Sequence, residues 1–113
     1  MTLGSDLSAT ALDEGIVFTY RVSNRGPTPV TLRFRDGKRF DVTVTPTGQD
    51  TIVWRASDDR AYAMVCNSTT LEADESITFE VRMPSPSPGT YKAVATLAAT
   101  DHDVTARTEF RHR

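Results

Sequence analysis

The sequence predicts an all-β fold, a sandwich or a barrel of short antiparallel strands. Three observations carry that expectation. Thr (17), Val (10) and Ile (3) supply 30 of the 113 residues, and β-branched side chains suit a pleated, half-buried surface better than a helix. Four runs alternate apolar and polar residues with a period of two, which gives a strand one dry and one wet face. Clusters of Gly, Pro, Asn and Asp separate the runs at short intervals, and no segment shows a convincing amphipathic helix.

In chain order, a weaker strand over Leu7–Leu12 ends at the turn Asp13-Glu14-Gly15. Ile16, Phe18, Tyr20 and Val22 then alternate with Val17, Thr19, Arg21 and Ser23, up to the turn Asn24-Arg25-Gly26-Pro27. Val30, Leu32 and Phe34 alternate with Thr31, Arg33 and Arg35, and Phe40, Val42 and Val44 with Asp41, Thr43 and Thr45. These two runs read as a hairpin. A two-residue Asp36-Gly37 turn would set Phe34 opposite Arg39 and Arg33 opposite Phe40, mixing the faces. A three-residue loop, Arg35-Asp36-Gly37, with Gly37 left-handed in a bulge, sets Leu32 opposite Phe40 and Val30 opposite Val42. That loop is the expectation.

Beyond the turn Pro46-Thr47-Gly48, a weaker strand spans Thr51–Arg55, with Trp54 directed to the core. Asp58–Asn67 stays open between one helical turn, with Tyr62, Val65 and Cys66 on one face, and an irregular edge strand. Ser68–Leu71 and Glu72-Ala73-Asp74-Glu75 read as a polar turn before the alternating run Ile77, Phe79 and Val81. Met83–Gly89 holds three of the six prolines, which cannot donate to a ladder and stiffen the chain, so it reads as an exposed connector. Strands over Gly89–Ala99 and Val104–Phe110 complete the chain.

At 113 residues, 25% charged and 38% hydrophobic, the chain is expected to form one folded domain. No stretch approaches the ~18 apolar residues of a membrane span. Met1-Thr2-Leu3-Gly4-Ser5-Asp6 lacks the basic and apolar regions of a secretory signal, so the expected location is the cytoplasm. A lone cysteine, Cys66, builds no disulfide framework. The net charge of −2 argues against nonspecific nucleic-acid binding, which needs a concentrated positive surface. Arginine outnumbers lysine 11 to 2; the planar guanidinium suits interfaces, although genomic base composition produces the same excess.

Catalytic chemistry is hard to assemble from these residues. Nucleophilic catalysis needs a nucleophile, a base and an orienting group, and only two histidines exist, His102 and His112. His112 lies in the terminal Arg111-His112-Arg113. Asp101, His102 and Asp103 read as a solvated turn in preference to metal ligands, and Asp58-Asp59 likewise. No zinc-protease, paired-cysteine, phosphate-loop, nucleophile-elbow or calcium-loop motif is present. Cys66 is expected as a small buried hydrophobe, and Asn67-Ser68-Thr69 as a chance glycosylation match. The reading is a binding or structural module with no catalytic residue, no cofactor and no metal, rather than a metal- or cysteine-dependent enzyme.

The segment Thr31–Val42, with Phe34, the Asp36-Gly37 turn and the Phe40-Asp41 pair, resembles the signature of the BsuPI-type intracellular proteinase inhibitors. Asn24, Val53-Trp54-Arg55-Ala56-Ser57, Leu71-Glu72-Ala73-Asp74-Glu75-Ser76 and Pro88-Gly89-Thr90-Tyr91 continue the likeness in order, over roughly Ile16 to Leu97. Asp74 replaces the usual glycine, and Ala56 stands where a second aromatic is common. The resemblance implies an immunoglobulin-like sandwich of about seven or eight strands and a cytoplasmic inhibitor of a subtilisin-like serine protease, acting stoichiometrically; the oligomeric state stays open, a monomer being the expectation. From charge and hydropathy, neither a nucleic-acid nor a membrane partner is expected. The alternative is a non-inhibitory immunoglobulin-like scaffolding module. Asp41 is expected to accept backbone or arginine hydrogen bonds near the Gly37 bulge. Three exposed loops are candidates for entering a protease cleft. Ser57, Asp58, Asp59, Arg60, Ala61 and Tyr62 rank first, Met83–Pro88 second and Thr45–Asp50 third.

Overall fold

Period-two alternation buries one face of each strand, so strands with a single apolar face must pair into sheets that close over each other. The computed structural model, which describes residues 3–58, 62, 64 and 66–113, shows that arrangement. Among the described residues there is no helix and there are nine strands, one or two more than expected. They are β1 (Leu3–Leu12), β2 (Gly15–Asn24), β3 (Val30–Phe34), β4 (Phe40–Pro46), β5 (Trp54–Arg55), β6 (Asn67–Leu71), β7 (Ser76–Pro84), β8 (Gly89–Leu97) and β9 (Thr105–His112). Antiparallel ladders join them in the orders β1-β2-β7, β3-β6 and β5-β4-β8-β9. Ile16, Phe18, Tyr20 and Val22 of β2 share the core with Val42 and Val44 of β4 and with Tyr91, Ala93, Ala95 and Leu97 of β8. This is the immunoglobulin-like sandwich.

β3 and β4 do not form the expected hairpin. β4 pairs with β8, Phe40 opposite Leu97, while Phe34 at the end of β3 bridges Ala99, just past β8. Ala98 N donates to Arg39 O, and Thr100 N to Arg33 O. Both strands therefore run antiparallel to one line of chain, in the same direction, with residues 35–39 expelled between them. Gly37 is not left-handed; the glycines with positive φ are Gly15, Gly48 and Gly89. A collinear strand with an excursion keeps Leu32, Phe34, Val42 and Val44 buried as well as a hairpin would, so facial matching alone did not discriminate the two.

A second correction concerns Ser68–Leu71, which is strand rather than turn. β6 runs beside β3, Val30 opposite Leu71 and Phe34 opposite Asn67. Its run of Ser and Thr is β-competent, but only Leu71 is buried, so its alternation is nearly invisible. β5 is shorter than the expected Thr51–Arg55.

Among the described residues, Asn24 is the one buried residue outside the hydrophobic types and glycine, and it is fully enclosed. Its Nδ2 donates to Thr28 O at 2.8 Å and Leu71 O at 3.0 Å, and its Oδ1 accepts from Gly26 N at 3.0 Å. Its own backbone bonds the turn before β7, through Glu75 O and Asp74 N. Asp74 in that turn has φ of 66°, the left-handed region that disfavours side chains other than Gly, Asn and Asp.

Two stability predictions follow from this corner. Asn24→Ala strands buried carbonyls and is expected to cost about 3 kcal/mol in urea unfolding. Asp74→Gly removes the backbone penalty and is expected to gain about 1 kcal/mol in the same assay.

Candidate functional site

Because alternation turns Val42 and Val44 inward, Asp41 falls on the other side of β4, at the edge of the excursion. Its carboxylate, 17% exposed, receives Lys38 Nζ at 2.8 Å. It also accepts Ser57 N at 3.1 Å, Ser57 Oγ at 2.7 Å and Val42 N at 2.9 Å. Backbone donors were expected; the cation is Lys38 rather than an arginine, because the expelled segment curls back over β4. Burial pushes the carboxyl up, but the hydrogen bonds from Lys38 and Ser57 and the lysine charge outweigh it and hold the group below the usual 3.8. Asp41 thus ties the excursion and the turn after β5 to one strand.

That turn opens the first-ranked loop. Ser57 is half-buried and held by Asp41. Asp58 is exposed, its Oδ1 3.6 Å from Arg55 Nη1, and Tyr62 is half-buried. Asp59, Arg60 and Ala61 lie outside the described residues, as does Val65 of the undecided segment.

The other two loops converge at the opposite end of the sheet. Thr47 N donates to Thr90 O, which seats the 45–50 tip beside the start of β8. The connector lies next to it, pinned by Tyr91, whose hydroxyl donates to Ser87 O at 2.5 Å. A groove separates the connector from Val53 and Trp54. Trp54 is half-buried and stacks on Phe18, centroids 5.9 Å apart. From Asp41 to Pro46 the strand covers five steps, about 17 Å, so Ser57–Tyr62 begins at one end and the other loops sit at the other. What sequence reasoning missed is Ile52 and Val53, 42% and 50% exposed. The expected strand Thr51–Arg55 contains both, but the ladder begins only at Trp54, and that limit is not legible in sequence.

Cys66 is exposed, contrary to the buried expectation, with Sγ 3.5 Å from Arg35 O. It precedes β6 and sits beside the expelled segment rather than under a sheet. Asp101 receives Arg33 N at 3.3 Å and so fastens the turn before β9 to β3. Among the described residues no group of three or more His, Cys, Asp or Glu is placed to hold a metal ion, and no helix is long and apolar enough to cross a membrane.

The family model for the intracellular proteinase inhibitor BsuPI matches residues 3–102. The chain belongs to the BsuPI family. The match extends past the Ile16–Leu97 stretch in which the resemblance is legible by eye. No curated protein matches the sequence at a significant level.

Solved structures share this BsuPI chain's fold at low identity. A CARDB domain of the PF1109 protein from Pyrococcus furiosus superposes with a TM-score of 0.52 at 13% identity, covering 96% of this chain and 90% of that one. A penta-heme cytochrome c552 from Thermochromatium tepidum gives 0.61 at 11% identity, over 96% of this chain and 40% of that chain. A β-glucosidase from Kluyveromyces marxianus gives 0.55 at 13% identity, over 99% of this chain. This chain spans only 14% of that enzyme's length. These likenesses concern the fold.

Because the folded Asp41 carboxyl titrates below its unfolded value, its stabilisation is present above pH 3.8 and is lost as pH falls through the depressed value. Asp41→Asn is expected to cost about 2 kcal/mol at neutral pH. The gap from wild type should narrow at pH 3, read by urea unfolding at both values.

Proposed function

We propose that this chain inhibits a subtilisin-like serine protease in the cytoplasm, binding it stoichiometrically and using no cofactor. The family match carries this reading: it covers nearly the whole chain and describes intracellular proteinase inhibitors. The chain then acts by occupying a protease rather than by catalysis of its own.

The contact we assign is Ser57, Asp58, Asp59, Arg60, Ala61 and Tyr62. A segment that enters a cleft loses less entropy on binding when its base is already fixed, and Asp41 fixes Ser57 through both backbone and hydroxyl. The Arg55–Asp58 ion pair is exposed and adds little rigidity. A scaffolding role is the second reading, favoured by the occurrence of this fold within longer chains such as the β-glucosidase.

Titration into a subtilisin-type protease is expected to end activity near one equivalent, with the inhibitor intact or nicked at one bond. Replacing Asp58–Tyr62 by Gly and Ser, with Ser57 kept, is expected to weaken inhibition about 100-fold while the melting temperature holds. Undiminished inhibition by that variant removes the loop from the account. A protease that wild type leaves untouched, together with capture of a non-protease partner, favours the scaffold.

A further inference from the structure

Ile52 and Val53 are neighbours in sequence, and both are large apolar side chains left in solvent. They lead into β5, which among the described residues is the terminal strand of its sheet, with a neighbour on one side only. Natural edge strands are usually blunted by charge, proline or a cover, and clustered exposed apolar groups mark binding surfaces. Beside this edge lies the groove of about 370 Å³ between Val53 and Trp54 and the connector residues Met83 to Ser87, with Tyr91 also lining it.

The lining selects its occupant. Val53, Trp54, Met83, Pro84, Ser85, Pro86, Ser87 and Tyr91 carry no formal charge at neutral pH, so a charged guest would lose hydration with no opposite charge to meet it. The far wall is stiffened by Pro84 and Pro86 and held by the Tyr91–Ser87 bond, which reduces the ordering cost of binding. An unpaired strand edge matches an extended main chain, which adds to it by backbone hydrogen bonds.

We propose that the edge from Ile52 through Arg55, with this groove, docks an extended, uncharged segment of the partner protease alongside β5. The inference rests on the inhibitor reading and deepens it. The four residues Ile52–Arg55 cover three steps, about 10 Å of extended chain, before the chain enters the turn of residues 56–58 that holds Ser57.

The test is inhibition of a subtilisin-type protease by the full chain and two variants. Ile52→Thr with Val53→Thr keeps β-branching and removes apolar surface; the inhibition constant is expected to rise at least about tenfold with the melting temperature unchanged. Tyr91→Phe keeps the ring that stacks on Phe110 and frees the connector; a rise of about threefold is expected. Wild-type inhibition that neither variant weakens overturns the docking edge and leaves the inhibitor reading standing. A wild-type chain that inhibits no subtilisin-type protease overturns both.

Discussion

The Asp41 carboxylate is the joint on which this end of the sandwich depends. Two segments, the expelled residues 35–39 and the turn after β5, both meet β4 at that side chain. Lys38 reaches it from one and Ser57 from the other. An anion that is mostly buried and fully hydrogen-bonded is costly to replace, because each donor left behind loses its acceptor. One residue therefore links the point where the interrupted strand resumes to the point where the chain leaves β5.

Asn24 plays the corresponding part in the body of the sandwich. It joins the end of β2 to β6 and to the turn before β7, so the three-stranded sheet and the β3-β6 pair are fixed to each other by a buried amide rather than by a shared ladder. Between these two polar anchors the core is apolar and aromatic. Phe40 stacks on Phe79 at 4.8 Å and Phe18 meets Phe110 edge-on at 5.5 Å. Such a frame fixes the strands from which the edge and its loops depart.

Legibility in the sequence followed how local the deciding physics was. β2, β4 and β7 were readable because each carries its own alternation. The relation of β3 to β4 was not, since a hairpin and a collinear strand bury the same side chains, and the choice is made by Ala99, far along the chain. β6 was missed because Ser68, Thr69 and Thr70 hide its period. At the site, Asp41 was singled out with backbone donors and a cation in view, yet the identity of the cation depended on how the excursion folds. Cys66 is exposed against expectation because apolar character states a preference for burial, and only the ladders decide which residues receive it.

Amide hydrogen exchange on the stoichiometric mixture with a subtilisin-type protease tests the central claim most directly, namely that the β5 side of the sandwich faces the enzyme. Protection gained at Ile52–Ser57 and in the connector, with β1 and β9 unchanged, is the predicted result. An inhibited protease accompanied by protection confined to β1 and β9 would contradict it.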